Sequence, residues 1–178
     1  GQVFDIHPSI LLDLEKEYDV LSADGFRVLA LAYKNVETKK DVYSKEDEKD
    51  LILRGYLAFL DPPKPTAKEA IDALKKFGIE LKVLTGDNEL VTKKICSEID
   101  IDIKEIVTGE KLDKLNDQEF KEVIKTSTVF VRLSPLQKER IIRVLQEAKH
   151  TVGYLGDGIN DGPALKISDV GISVNNAA

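Results

Sequence analysis

The chain has 178 residues, enough for one full domain or one domain plus part of another, and at 42% hydrophobic and 33% charged it reads as soluble and globular. A formal net charge of -6 argues against nucleic acid as the main partner, no apolar run is long enough to span a bilayer, and no stretch reads as a signal peptide. The single cysteine, Cys96, excludes an intrachain disulfide and fits a reducing compartment, while two histidines without a cysteine cluster speak against structural zinc.

In chain order, apolar residues at helical spacing (Ile10, Leu11, Leu14, Tyr18, Leu21) predict an amphipathic helix over 8–24. Residues 26–33 form a short apolar strand, 35–50 a charged excursion and 51–60 a second strand. Asp61-Pro62-Pro63-Lys64-Pro65 then interrupts any regular structure, because proline removes donors and restricts the residue before it, and this is the candidate hinge. Beyond it, Thr66 with Glu69 reads as a capping box, with Ala70, Ile71, Leu74 and Phe77 on one helix face and Gly78 at its end.

Strands are expected at 79–84, 103–107, 128–133, 151–155 and 169–174. Helices are expected at 88–98, from Asn116 to about 125, from Ser134-Pro135 to about 148, and at 162–167. Asn116 with Glu119 and Ser134 with Gln137 are two further capping boxes. Strands alternating with helices imply a parallel sheet with right-handed crossovers, an α/β architecture.

Ligands of open α/β sheets sit at the carboxyl ends of the strands, where three motifs fall. Thr85-Gly86-Asp87 offers a hydroxyl and amides before a helix, a phosphate cradle, although capping by Asp87 or Asn88 explains the same residues. Lys138 stands in the first turn of its helix, against the dipole; it is either a solvated lysine or the neutraliser of a bound anion. The third is Gly156-Asp157-Gly158-Ile159-Asn160-Asp161-Gly162-Pro163-Ala164-Leu165. Mg²⁺ takes oxygen ligands, usually one or two carboxylates plus phosphate and water; Asp157 suits that role, with Asn160 and Asp161 supporting it. A glycine-rich turn accounts for the glycines but not for paired acids in one small region, so the functional reading is favoured. Together, a hydroxyl, a lysine and paired acids suit phosphoryl transfer, which rests on positioning and charge neutralisation.

These motifs, in this order, resemble those of P-type cation-transporting ATPases of the haloacid dehalogenase superfamily. Asp61-Pro62-Pro63-Lys64 resembles that family's hinge, and Gly25-Phe26-Arg27-Val28-Leu29-Ala30 the end of its nucleotide-binding domain. The text around 51–64 and 84–96 is most similar to the bacterial magnesium-transporting members. The resemblance implies residues 1–60 as the C-terminal part of an α+β nucleotide-binding domain with a hinge strand. It implies 61–178 as a Rossmannoid phosphorylation domain, a parallel sheet with flanking helices. It also implies ATP and Mg²⁺ as cofactors and an aspartyl-phosphate intermediate. Further implications are a membrane-embedded parent whose absent transmembrane helices bind the transported cation, and a place on the cytoplasmic side of the plasma membrane. Thr85 would bind the transferred phosphoryl group, Lys138 neutralise it, and Asp157 hold Mg²⁺, with Asn160 and Asp161 supporting metal and phosphate. Gly86, Asp87 and Arg132 would face the nucleotide, and Arg27 would reach its phosphates from the other domain.

The family's phosphorylated aspartate lies in an Asp-Lys-Thr-Gly-Thr motif, which none of the 178 residues contains. Since the chain starts at Gly1 and has no methionine, an excised piece of a larger, membrane-anchored protein is expected, inactive alone. The strand that carries the motif would leave a gap in the sheet, or the gap would be filled by rearrangement or by self-association. Gly162 replaces the family's usual alanine, with little effect expected beyond local flexibility. The alternatives are a soluble phosphatase of the same superfamily, a calcium or other cation pump, and a non-catalytic nucleotide-binding module. The phosphatase would need an Asp-x-Asp pair after an early strand, and none follows residues 28–33 or 57–60.

Overall fold

A computed structural model describes residues 3–36, 39–156 and 159–173, with Ile159 described in its backbone alone. The chain divides into two compact units between Pro62 and Pro63. Among the described residues no helix is long and apolar enough to cross a membrane.

The first unit is a helix on a two-stranded ribbon. Helix α1 (Pro8–Ala23) starts with proline at its first position, where the missing N–H costs nothing. Strands β1 (Phe26–Tyr33) and β2 (Ile52–Leu60) pair antiparallel, Phe26 opposite Leu60, with a register shift between Leu31 and Ala32. The Tyr56 hydroxyl donates to the Leu14 carbonyl at 3.1 Å and so ties α1 to one ribbon face. Leu29, Leu31, Leu57 and Phe59 are exposed. Among its described residues the charged excursion forms one 3-10 turn, Lys45–Asp47.

The second unit alternates helices and parallel strands. Its order is α2 (Ala67–Lys76), β3 (Val83–Leu84), α3 (Glu89–Glu98), β4 (Ile106–Thr108), α4 (Gly109–Asp113), α5 (Asp117–Thr126), β5 (Val129–Val131), α6 (Pro135–Glu147), β6 (Gly153–Gly156), α7 (Gly162–Ile167) and β7 (Val170–Ser173). Parallel pairing gives two sheets, β3-β5-β4 and β6-β7, and among the described residues no strand joins them. The α/β class and the parallel strands stand as expected.

Three expectations are corrected. The strand expected over 79–84 is reduced to Val83–Leu84, because a strand needs a partner's hydrogen bonds and only Val83 and Leu84 lie opposite β5. Thr66 makes no side-chain cap, since its backbone is already helical and a capping residue needs an extended one. Phe77, expected on one face with Ala70, Ile71 and Leu74, is 82% exposed, and of that face only Ile71 is buried. Helix α4 was not anticipated; five residues capped by Thr108 are too short for a periodic pattern. The capping boxes of α5 and α6 form as expected, Asn116 with Glu119 and Ser134 with Gln137.

The core surrounds β5. Phe130 lies with Val107, Leu112, Phe120, Ile124, Leu133 and Ile141 on one side, while Val129 and Val131 face Cys96 on the other. A smaller cluster, Ile142, Tyr154 and Ala164, joins α6, β6 and α7. Leu84 packs against both Phe130's cluster and Tyr154's, and α6 supplies Ile141 to one and Ile142 to the other.

Candidate active site

The Thr85 loop begins where β3 ends. The Thr85 N–H donates to the Phe130 carbonyl at 3.0 Å, the Leu133 N–H to the Thr85 carbonyl at 3.0 Å, and the Arg132 N–H to the Asp87 carbonyl at 2.9 Å. Within the loop, the Thr85 hydroxyl accepts from the Asp87 N–H at 3.1 Å and donates to Asp87 Oδ2 at 3.2 Å. Capping is done by the next residue: Asn88 Oδ1 accepts from the Val91 N–H at 2.9 Å at the start of α3. Capping therefore accounts for Asn88. An alanine Cβ at Gly86 would make only ordinary contact, 3.6 Å from the Leu133 carbonyl, so the glycine is not required for space.

Arg132 follows β5 with φ 52°, a left-handed conformation uncommon for a residue with a side chain. The start of α4 and Gln137 lie around that bend. A Cβ on Gly109 would lie 2.6 Å from the Arg132 carbonyl oxygen, so only glycine allows the start of α4 to come this close. Gln137 accepts from the Ser134 N–H at 2.8 Å and donates to the Gly109 carbonyl at 3.0 Å and to Asp113 Oδ1 at 2.8 Å. Nearby, the Glu110 carboxyl is held below its ordinary pKa, first by its hydrogen bond from Lys114, then by that ammonium's charge, with Arg132 adding a little.

The second cluster is buried. Lys138 Nζ donates to Asp161 Oδ1 at 2.7 Å, and the Tyr154 hydroxyl donates to the same oxygen at 2.8 Å. The paired side chains of Lys138 and Asp161 are 11% and 12% exposed. Asp161 occupies the N-cap position of α7, yet its side chain makes no cap hydrogen bond and instead joins this cluster. Gly156 admits it: a Cβ there would fall 2.7 Å from Asp161 Cβ and 2.9 Å from Oδ2. Alternation along β6 turns both Tyr154 and Gly156 inward, against Asp161.

Two groups thus form among the residues selected from sequence, Thr85-Gly86-Asp87 with Arg132, and Lys138 with Asp161. Leu84, next to Thr85, touches the clusters that flank both. Asn160 is exposed, in a 3-10 turn before α7. Arg27 lies in the first unit, exposed on β1 opposite Phe59. Asp157, the expected metal ligand, lies outside the described residues. Among the described residues no group of three or more His, Cys, Asp or Glu side chains forms a metal cage. A Mg²⁺ held mainly by phosphate and water through one or two carboxylates needs no such cage. Tyr154 and Gly109 were missed by sequence reasoning, and Gln137 was read only as a helix cap. For Tyr154 a signal existed: a tyrosine inside an apolar run needs an acceptor when buried.

Comparison with known proteins places the chain in a family. A haloacid dehalogenase-like hydrolase profile matches residues 7–169. The chain is 45% identical over 177 residues to "Magnesium-transporting ATPase, P-type 1" of Escherichia coli (strain K12), covering 99% of this chain and 20% of that protein. To a protein of the same name from Salmonella typhimurium LT2 it is 48% identical over 171 residues, 95% of this chain and 18% of that protein. To "Calcium-transporting ATPase 1" of Lactococcus lactis it is 35% identical over 176 residues, 98% and 20% of the two chains. The chain spans about a fifth of the length of the curated relatives it matches.

Proposed function

We propose that this chain, which belongs to the haloacid dehalogenase-like hydrolases, is a cytoplasmic portion of an ATP-driven cation transporter, with Mg²⁺ the favoured cargo. The observation that carries the reading is the buried Lys138–Asp161 pair, within a chain similar along almost its whole length to magnesium-transporting ATPases. Identity is 45% to the Escherichia coli magnesium transporter and 35% to the Lactococcus lactis calcium transporter, which favours magnesium.

In this reading residues 61–178 are the phosphorylation domain and 1–60 part of the nucleotide-binding domain. The transporter's membrane helices lie outside these 178 residues and bind the cargo. Thr85 and Lys138 engage the phosphoryl group passed from ATP to an aspartate that this chain does not contain. Lys138 neutralises charge as it transfers, and Thr85 turns its hydroxyl from Asp87 toward a phosphoryl oxygen. Asp161 orients the Lys138 ammonium, and Asn160 supports the loop. Gly86, Asp87 and Arg132 face the nucleotide, and Arg27 serves its phosphates. Asp157 is the residue assigned to Mg²⁺, which supplies charge neutralisation at phosphoryl oxygens.

Two measurements test this. The chain alone, given labelled ATP, is expected to form no hydroxylamine-sensitive phosphoprotein; such a label would place the nucleophile within it and favour a soluble phosphatase. A chimera carrying this chain in place of the matching segment of the Escherichia coli magnesium transporter is expected to form that label and support Mg²⁺-dependent growth. Lys138→Met should abolish both. A folded chimera that neither labels nor transports would overturn the assignment.

A further inference from the structure

We propose that Tyr154 is a positioning residue: its hydroxyl is a second donor to Asp161 that lets Lys138 leave the carboxylate for a bound phosphoryl group. The inference rests on the phosphoryl site proposed above and assigns that site's regulation of Lys138 to a residue outside its motifs.

Three observations converge. Lys138 and Tyr154 donate to one and the same oxygen, Asp161 Oδ1, at 2.7 and 2.8 Å. They come from different elements, α6 and β6, and all three residues are buried. Asp161, whose backbone is helical and so makes no side-chain cap, sends its carboxylate there, and Gly156 leaves room for its side chain.

The physical consequence concerns movement. A buried carboxylate deprived of its cation is costly, and Lys138 bound only to Asp161 would be held by that cost. With Tyr154 donating to the same oxygen, the departure of Lys138 still leaves Oδ1 hydrogen-bonded. The hydroxyl carries no charge, so it neither competes for the phosphoryl group nor repels the lysine. Lys138 can therefore exchange one anion for another at lower cost. Phenylalanine at position 154 would fill the same space without the proton.

Two readouts on the full chain test the arrangement. The first is a double-mutant cycle in urea. If the donors substitute for one another, Lys138→Met should shift the unfolding equilibrium roughly tenfold more in a Tyr154→Phe background than in the unmodified chain. A double variant that cannot fold while both single variants fold has the same meaning. In an Asp161→Ala background the extra loss should vanish. Additive or sub-additive losses, or coupling that survives Asp161→Ala, would overturn the proposal.

The second readout needs only Tyr154→Phe and serves if Lys138→Met does not fold. Acetylation of Lys138 by acetic anhydride, followed by peptide mass spectrometry, should slow severalfold, with exposed Lys68 unchanged. A merely structural role would loosen the site and speed acetylation, and an equal or faster rate overturns the proposal. Inorganic phosphate with Mg²⁺ should protect Lys138 in the unmodified chain. Absence of protection would overturn the phosphoryl site itself, whereas a wrong sign in the other two experiments would overturn only the role of Tyr154.

Discussion

The two sheets of the second unit are made from similar apolar strands and end in opposite surroundings. In β5, Val129, Phe130 and Val131 are all fully buried, because β3 and β4 flank the strand and α5, α6 and residues around Cys96 cover its faces. In β6–β7, Leu155 is 67% exposed, and Val170 and Ile172 are each 52% exposed. Hydrophobicity alone therefore does not bury a strand; neighbours on both edges and both faces do. The candidate site lies where the two arrangements come together. Thr85 hangs from the covered sheet, Asp161 follows the open one, and Lys138 sits on α6, which contributes to the cores of both.

The comparison can be broken by truncating one side chain on each strand. Phe130→Ala should cost about 3–5 kcal/mol, enough to unfold much of the population, and Leu155→Ala within about 0.5 kcal/mol. Urea denaturation measures both, and equal losses would erase the distinction. Next in size are two glycines that admit close approach, one on each side. Gly109→Ala drives a Cβ against the Arg132 carbonyl, and Gly156→Ala drives one against Asp161. Each should cost about 1–3 kcal/mol by overpacking, read in the same experiment. Acetylation of Lys138 should rise only in Gly156→Ala, because only that change displaces its partner.

A smaller effect of opposite sign is expected at Gly162, where a Cβ would meet nothing within 4 Å. Gly162→Ala should stabilise the chain by about 0.4–1 kcal/mol through the unfolded state, visible as a raised Tm. The smallest effect concerns acid. The Asp169 carboxyl is held below its ordinary pKa, first by the Val152 N–H, which donates to it at 2.8 Å before β6, and then by Gln146. A carboxyl whose folded pKa is depressed stabilises fully above its unfolded value of about 3.9 and loses that contribution as pH falls through the lower folded value. Asp169→Asn should remove this acid-sensitive part, seen as a flatter Tm profile below about pH 4.

What local chemistry controls was legible in the sequence. Asn116 with Glu119 and Ser134 with Gln137 signalled helix starts because a cap is satisfied within four residues. Lys138 and Asp161 were each selected from their motifs, but not as a pair. Their contact spans 23 residues and depends on α6 lying beside the loop after β6. Tyr154 read as one apolar residue among several, since nothing local tells a buried hydroxyl which acceptor it will meet.

The sequence by itself determined the α/β class, the order of elements apart from α4, the break at Asp61-Pro62-Pro63 and the residue types of the proposed phosphoryl site. Each follows from periodicity, from proline's missing donor or from the chemistry of charged groups near glycines. Tertiary structure alone decided that 79–82 forms no strand, that Thr66 makes no side-chain cap, and that the described parallel strands fall into two sheets. It also decided that the Asp161 carboxylate meets Lys138 and Tyr154. Hydrogen bonds between strands and the pairing of buried charges link groups far apart in sequence, and those links exist only once the chain has closed on itself.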